Sequence, residues 1–151
     1  MPRYFAYGSN LHVAQMLRRC PNSRVLGKAW IERTELRFFG RSRGWDGGGV
    51  ATLGQEAAVP SGPDEAPRVY GALYELPDED LHILDGFESM YRRERLVVQG
   101  VLECDAWTYL AADGHPPNEP SPRYVATMAY GYAEHELPLK ALYDALNKLK
   151  G

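Results

Sequence analysis

Arg3-Tyr4-Phe5-Ala6-Tyr7-Gly8-Ser9-Asn10-Leu11, close to the start of the sequence, indicates how the fold begins. Its aromatic first half is typical of a β-strand, because aromatic side chains pack well on a pleated surface. Gly8-Ser9-Asn10 predicts a tight turn, after which Leu11, Val13 or Ala14, and Leu17 recur at helical spacing. We therefore expect a strand, a turn and a helix of about two turns.

Outward from this stretch, apolar runs alternate with turn-forming residues. Strands are predicted within residues 25–39 (one long bent strand or two shorter ones), 50–53, 69–76, 95–99 and 101–110, the last two joined by a turn at Gly100. Loops are predicted at residues 40–49, 60–67 and 111–122, where glycine and proline concentrate. A helix is predicted from Pro77, and two more helices end the chain, the second with one apolar face of Leu139, Leu142, Leu146 and Leu149.

The order of these elements defines the expected fold class. Strands and helices do not alternate strictly, so a doubly wound parallel sheet is not expected. We predict an α+β fold in which a mixed or antiparallel sheet curls, or closes into a small barrel, with helices packed around it. The length of 151 residues and the apolar fraction of 44% suit a single domain over residues 1–151.

Composition excludes several classes of function. The formal net charge of −3 gives no basic field for nucleic acid, and no apolar run approaches the roughly 20 residues that span a bilayer. The N-terminus enters a strand without the apolar region of a signal peptide, which predicts a cytoplasmic protein. Cys20 and Cys104 cannot build a disulfide framework, and their spacing matches no metal motif. Neither nucleic acid nor membrane is an expected partner.

One acidic residue is placed unusually in the helix predicted from Pro77. Leu81, Leu84 and Glu88 fall at positions i, i+3 and i+7, so the acid shares a face with two leucines. A carboxylate directed into the core is costly without partners, which makes Glu88 a candidate catalytic residue. The alternative is that Glu88 ends its helix and forms surface ion pairs with the arginines that follow, which are Arg92, Arg93 and Arg95.

The turn at residues 8–10 is the second candidate site. A strand that ends in glycine and opens a helix presents a cluster of backbone N–H groups, which can bind an anion or an oxyanion. Ser9 and Asn10 could equally serve as helix caps. Ser9 lacks the Gly-x-Ser-x-Gly elbow of serine hydrolases. The four histidines are dispersed in the sequence, so no zinc site is predicted.

Several motifs together resemble a known family. Tyr4-Phe5-Ala6-Tyr7-Gly8-Ser9-Asn10-Leu11 resembles the N-terminal signature of the gamma-glutamylcyclotransferase-like proteins. The runs Val69-Tyr70-Gly71-Ala72-Leu73-Tyr74, Leu84-Asp85-Gly86-Phe87-Glu88 and Tyr91-Arg92-Arg93 are similar to the second signature of that family. A Pro-Ser-Pro-x-Tyr string ending at Tyr124 also resembles the family pattern, and the order and spacing agree over most of the chain.

The resemblance implies a small mixed α/β fold and the cyclisation of a gamma-glutamyl group to 5-oxoproline with release of an amine. It implies that Glu88 is the catalytic general acid and base. It also implies a glutamyl-binding turn, with a tyrosine from the last motif as a further site residue. These substrate-binding candidates are Tyr7, Gly8, Ser9, Asn10, Leu11 and Tyr124. The expected partner is a small gamma-glutamyl substrate, and the chemistry requires no metal or cofactor.

The leaving amine is not identified by the resemblance. Relatives act on gamma-glutamyl amino acids, on gamma-glutamyl amines such as the lysine isopeptide, or on glutamyl-protected biosynthetic intermediates. We expect the loops at residues 41–49 and 114–122 to contact that amine, because loops carry most of the variation in specificity. The alternative function is a binding module that keeps the pocket without turnover. The oligomeric state is not predicted.

Overall fold

The computed structural model describes residues 1–54, 67–112 and 114–150 of the chain. Within these residues, five strands close into a barrel in the order β1-β5-β2-β6-β7, and β3 pairs with β4 in a separate two-stranded sheet. The barrel is mixed, because β1 runs parallel to β7 whereas the other neighbours are antiparallel. The prediction of an α+β fold with a curled sheet or small barrel is confirmed.

The elements follow one another in the predicted general order. The strands are β1 Arg3–Ala6, β2 Arg24–Glu32, β3 Glu35–Ser42, β4 Gly48–Gly54, β5 Arg68–Glu75, β6 Tyr91–Gly100 and β7 Cys104–Ala111. The α-helices are α1 Val13–Arg19, α2 Asp78–Phe87, α3 Pro122–Glu134 and α4 Leu139–Lys150, and short 3-10 helices occupy Ser9–Leu11 and Arg43–Trp45. No helix among the described residues has the length and apolar character needed to cross a bilayer.

The barrel closes around the first strand. β1 lies between β5 and β7, with Phe5 opposite Leu73 on one side and Tyr4 opposite Trp107 on the other. Gly71 allows the backbones to approach, because a Cβ atom there would lie 2.2 Å from the Ala6 carbonyl oxygen. Since its neighbours hold β1 on both sides, the turn that follows this strand leaves the barrel at a defined point.

The region from residue 40 to residue 49 is more regular than predicted. We expected one glycine-rich loop, but β3 continues to Ser42 and β4 already begins at Gly48. Close packing is the reason that β4 contains glycines: Cβ atoms at Gly48 and Gly49 would lie 2.6 Å and 2.2 Å from backbone atoms of residues 118–121. The glycines therefore mark a close backbone approach within a strand, in addition to a turn.

The β6–β7 connection also differs from the prediction. β6 begins at Tyr91, four residues before the predicted start, and the turn covers residues 101–103 and not Gly100. Gly100 ends β6 with a φ of 125°, opposite Ala29 of β2. The 25–39 region forms two strands that belong to different sheets. The loop predicted at residues 60–67 lies outside the described residues except for Pro67.

The helices pack around the barrel largely as expected. In α4, Leu142 is fully buried and Leu146 and Leu149 pack against the core, although Leu139 is 38% exposed. Helix α3 lies on the turn after β1, because Gly131 allows a close approach: a Cβ atom there would lie 2.5 Å from the Leu11 Cβ. The turn is therefore held between the barrel and α3.

Candidate active site

A small cavity lies where the turn after β1 meets the end of α2. Its volume is about 30 Å³, and half of its lining consists of tyrosines. The lining residues are Tyr4, Tyr7, Gly8, Ser9, Asn10, Ala51, Glu88, Tyr91, Tyr109 and Tyr124. We refer to this space as the inner cavity. It brings together the predicted acid, four of the five predicted turn residues and Tyr124.

Glu88 is placed in this cavity by the end of α2. The helix stops at Phe87, and Glu88 is its C-cap residue with φ −112° and ψ 46°. Leu81 and Leu84 of the same helix are buried in the core, so the predicted shared face is present. The Glu88 side chain is 13% exposed, and its Oε1 accepts a hydrogen bond of 3.2 Å from Asn10 Nδ2.

The basic partner of Glu88 was not predicted. Arg19, at the end of α1, places its Nη1 3.8 Å from Glu88 Oε1. The predicted alternative partners have other contacts: Arg92 Nε pairs with Glu94 at 2.8 Å, and Arg93 Nε lies 3.6 Å from Asp85 Oδ1. Surface pairing with the arginines that follow the helix is therefore not what holds Glu88 in place.

Burial changes the acidity of this carboxyl group. Loss of solvent raises the pKa of Glu88 from 4.5 to about 7, because the charged form is poorly stabilised in the interior. Arg19 and the Asn10 hydrogen bond lower this pKa, whereas the nearby Asp85 raises it. A carboxyl group with a pKa near 7 can accept and return a proton at neutral pH.

Asn10 connects the acid to its surroundings. Its Nδ2 donates to Glu88 and, at 3.0 Å, to the Tyr4 hydroxyl. Its Oδ1 accepts from Gln15 Nε2 and Arg19 Nη1, both at 3.1 Å. Every polar atom of this side chain is therefore bonded, which fixes its orientation. The cap interpretation of Asn10 is wrong, since its side chain makes no capping bond.

The other residues of the turn have separate surroundings. The Ser9 hydroxyl accepts a 2.8 Å hydrogen bond from Gln15 Nε2, and it too makes no capping bond. Gly8 lies so close to Tyr124 that a Cβ atom would be 2.8 Å from the Tyr124 hydroxyl oxygen. Leu11 is fully buried against α3 and is not among the residues that line the inner cavity.

Tyrosine hydroxyls surround the acid. The Tyr7 hydroxyl donates to the Tyr109 carbonyl oxygen, and the Tyr91 hydroxyl donates to the Ala51 carbonyl oxygen at 2.7 Å. The Tyr124 hydroxyl accepts from the Ala51 amide at 3.0 Å. Burial raises the pKa of Tyr7, Tyr91 and Tyr124, so these groups stay neutral at physiological pH. The cavity wall is thus polar but uncharged apart from Glu88.

A larger space, which we call the outer cavity, adjoins the inner one. Its volume is about 520 Å³, and it shares Ser9, Glu88, Tyr91 and Tyr124 with the inner cavity. One wall is the β3–β4 tip, by which we mean residues 41–48, and the other wall is the end of α2. The additional lining residues are Arg19, Arg41, Ser42, Arg43, Gly44, Trp45, Val50, Gly86, Phe87, Ser89 and Met90. Of the two loops that we expected to contact the leaving amine, the one at residues 41–49 lines the outer cavity, whereas none of residues 114–122 does. Helix α3 contributes Tyr124.

Sequence reasoning missed the second layer of the site. Gln15 and Arg19 lie on α1, and their polar types within an amphipathic helix gave no signal of a functional role. Tyr4 and Tyr91 were noted only as parts of motifs, and Tyr109 lies in an ordinary strand pattern. Their convergence depends on barrel closure, which joins residues about 100 positions apart in the sequence, as in the Tyr7–Tyr109 hydrogen bond.

The described residues contain no group of three or more histidine, cysteine, aspartate or glutamate side chains that could hold a metal ion. Of the two thiols, Cys20 is buried, and its Sγ donates to the Asp80 carbonyl oxygen at 3.4 Å. Burial raises the pKa of Cys20 to about 11, so this thiol stays protonated. Cys104 is only partly buried, at the start of β7.

Known proteins resemble this chain in both sequence and architecture. The family model for gamma-glutamyl cyclotransferase, AIG2-like, matches residues 4–131. A human protein named gamma-glutamylcyclotransferase is 30% identical over 148 residues, covering 91% of this chain and 73% of the human protein.

Solved structures agree with these matches. A structure titled gamma-glutamyl cyclotransferase superposes with a TM-score of 0.80 at 28% identity, covering 99% of this chain and 86% of that one. The YkqA protein of Bacillus subtilis superposes with a TM-score of 0.74 at 21% identity, covering 97% of this chain and 54% of that one, which shows likeness of fold alone. The chain is thus a cyclotransferase-type enzyme and belongs to the gamma-glutamyl cyclotransferase, AIG2-like family.

Proposed function

We propose that this enzyme converts a gamma-glutamyl amide into 5-oxoproline and a free amine, with Glu88 as general acid and base. The observation that carries this proposal is the position of Glu88: a buried carboxyl group with a pKa near 7 lies directly beside the turn at residues 8–10. The family match and the human relative support the proposal, because both carry the name of a gamma-glutamyl cyclotransferase.

The proton balance of the reaction suits a single carrier. The substrate α-ammonium holds three hydrogens, and the lactam nitrogen of 5-oxoproline keeps one of them. Ionised Glu88 takes the first proton, the free amine attacks the γ-carbonyl carbon, and protonated Glu88 delivers that proton to the leaving nitrogen as the C–N bond breaks. The second proton follows the same route, so the amine departs as an ammonium and Glu88 is again ionised.

Intramolecular attack reduces what the protein must supply. Nucleophile and carbonyl belong to the same substrate, so the site needs only to hold the glutamyl chain in a folded conformation. We assign this task to Tyr7, Gly8, Ser9, Asn10 and Tyr124, with Leu11 anchoring the turn from the core side. Ser9 and Asn10 begin a 3-10 helix, so their backbone N–H groups have no acceptor within it, and the Ser9 amide is directed at the Tyr124 hydroxyl. We assign binding of the substrate carboxylate or the oxyanion to the Asn10 amide together with this Ser9–Tyr124 pair.

The two cavities suggest how the substrate lies. The inner cavity, at about 30 Å³, holds only one or two water molecules, whereas the outer one is about 520 Å³. We infer that the reacting part of the glutamyl group lies at the shared residues Ser9, Glu88 and Tyr124, and that the leaving amine extends into the outer cavity. The reaction as proposed uses no metal or cofactor.

The test is to incubate the protein with gamma-glutamyl-alanine, its N-acetylated form and its α-amidated form, and to measure 5-oxoproline. We expect product from the first compound and almost none from the others, because N-acetylation removes the nucleophile and amidation removes the substrate α-carboxylate. Release of N-acetylglutamate from the second compound would instead indicate hydrolysis by water. Binding of gamma-glutamyl compounds without any product would favour the binding-module alternative.

A further inference from the structure

The outer cavity carries more positive than negative charge in its lining. Its charged lining residues are Arg19, Arg41, Arg43 and Glu88. Arg19 is committed, because its guanidinium contacts Glu88 and Asn10 and lies 4.6 Å from the Phe87 ring centroid. The two other arginines therefore leave a net positive charge that no lining acid offsets.

Arg41 and Arg43 differ from Arg19 and Arg123 in their side-chain contacts. Both side chains are exposed, and neither makes an ion pair or hydrogen bond with any residue that the structure describes. The nearby Asp46 is paired with Arg123 at 3.2 Å, and Arg123 also lies 4.4 Å from the Trp45 ring centroid. The acid at the β3–β4 tip is thus already occupied, and the two cavity arginines are available to a ligand.

The backbone that carries these arginines is held in place. Asn118 Nδ2 donates to the Gly40 carbonyl oxygen at 2.8 Å, and the Gly49 amide donates to the Glu119 carbonyl oxygen at 2.8 Å. Trp45, between the two strands, packs edge-on against Tyr124 at a centroid distance of 4.9 Å. The β3–β4 tip therefore presents its arginines toward the cavity from a supported position, which lowers the entropic cost of binding.

We propose that Arg41 and Arg43 bind a carboxylate on the leaving amine, so that the enzyme prefers gamma-glutamyl derivatives of amino acids to those of neutral or cationic amines. Guanidinium groups match the planar geometry of a carboxylate and can donate two parallel hydrogen bonds to it. A cationic leaving amine would meet like charge in the same space. The inference rests on the proposed function for the position of the substrate.

The experiment compares three substrates that differ in the charge of the leaving amine. They are the gamma-glutamyl derivatives of alanine, alaninamide and 1,4-diaminobutane. We expect kcat/KM for 5-oxoproline release to be about tenfold higher for alanine than for alaninamide, and lowest for the diamine. In the Arg41→Gln/Arg43→Gln protein, loss of activity on the alanine derivative should bring the kcat/KM values of the three substrates to within about twofold of one another.

A matched control and a binding measurement complete the test. Arg24→Gln changes another exposed arginine, with a side chain that is 69% exposed and lines neither cavity, and it should keep the substrate order. Calorimetric Kd values for the alanine and alaninamide derivatives on the Glu88→Gln protein test recognition without turnover. Equal Kd values, no binding of either compound, or a preference that persists without the arginines would overturn this inference. Preferential binding without 5-oxoproline from the unaltered protein would overturn only the proposed function.

Discussion

The two adjoining cavities are built on opposite principles. In the inner cavity each polar side chain around Glu88 is buried or partly buried and already bonded: Asn10 alone joins four other side chains. In the outer cavity Arg41 and Arg43 are exposed and make no such bond among the described residues. One region is arranged in advance of the substrate, and the other offers charges that only a ligand would engage.

This difference teaches how one small fold can combine a fixed reaction with a changeable substrate. Burial shifts the pKa of Glu88 because solvent is excluded, which the exposed tip cannot do. Exposed arginines at the tip, in turn, can be replaced without disturbing the core. We therefore expect changes in the inner cavity to alter the rate and stability strongly, and changes in the outer cavity to alter substrate preference.

The largest expected effect is on the rate, from Glu88→Gln. This change keeps the shape of the side chain but removes the proton carrier, so kcat for 5-oxoproline release should fall by about 10²–10⁴. The control is Glu94→Gln, because Glu94 is a partly exposed acid paired with Arg92 on β6. A Glu88→Gln protein that turns over at a near-normal rate would show that the buried acid does not carry the proton.

The next effect concerns the close approach at Gly8. A side chain there would meet the Tyr124 hydroxyl, so Gly8→Val should weaken binding of a gamma-glutamyl compound in calorimetry by about tenfold or more. The smaller change Gly8→Ala, made alone and together with Tyr124→Phe, separates the contact from backbone effects. If the added methyl group weakens binding by meeting the Tyr124 hydroxyl, Gly8→Ala should raise the Kd by a smaller factor in the Tyr124→Phe protein. Equal costs would point away from this contact.

A third prediction concerns the pH dependence of the reaction. Glu88 must be ionised to accept the first proton, and burial raises its pKa to about 7, so kcat/KM should increase as the pH rises through about 7. Arg19 lowers that pKa, and Arg19→Gln should therefore move the acidic limb of the profile upward by about one pH unit. Initial rates measured from pH 5 to pH 9 test this. If the acidic limb does not move in Arg19→Gln, the pH profile does not report the ionisation of Glu88.

The fourth prediction applies the same pKa shift to stability. Since the folded pKa of Glu88 exceeds its ordinary value of 4.5, the folded protein binds this proton more tightly than the unfolded chain does. Ionisation of Glu88 therefore lowers the free energy of unfolding between pH 4.5 and about 7. Glu88→Gln should be more stable than the unaltered protein at pH 8, by about 1–3 kcal/mol, and about equally stable near pH 4. Urea unfolding at both pH values measures the difference in unfolding free energy between the two proteins. A difference that is the same at pH 4 and pH 8 would contradict this prediction.

The smallest effect is expected at the β3–β4 tip. Arg43→Gln removes an exposed charge with no ion pair among the described residues, so the free energy of unfolding should change by no more than about 0.5 kcal/mol. The comparison with Glu88→Gln in the same urea series makes the contrast quantitative. A large loss of stability in Arg43→Gln would mean that the tip is part of the packed framework and would remove the distinction between the two cavities.

Local patterns in the sequence predicted the parts of the site that depend on a few neighbouring residues. The aromatic run before Gly8 predicts β1, and the spacing of Leu81, Leu84 and Glu88 predicts an acid on a buried face. Turn positions were less predictable: the turn after β6 lies at residues 101–103, because Gly100 is required opposite Ala29 and not for the turn itself. The glycines at 48 and 49 were misread for the same reason, since close packing against residues 118–121 leaves no trace in local sequence.

By itself, the sequence determined the order of the elements, the strand that leads into the turn and the position of Glu88 on the apolar face at the end of α2, because each depends on periodicity and residue type within a short segment. Only the tertiary structure decided which groups surround that acid. Arg19 and Asn10 reach Glu88 because α1 and the turn pack against the end of α2, and Tyr109 reaches Tyr7 because β7 closes on β1. The pKa of Glu88 follows from this packing, since desolvation and neighbouring charges depend on the three-dimensional surroundings of a residue and not on its neighbours along the chain.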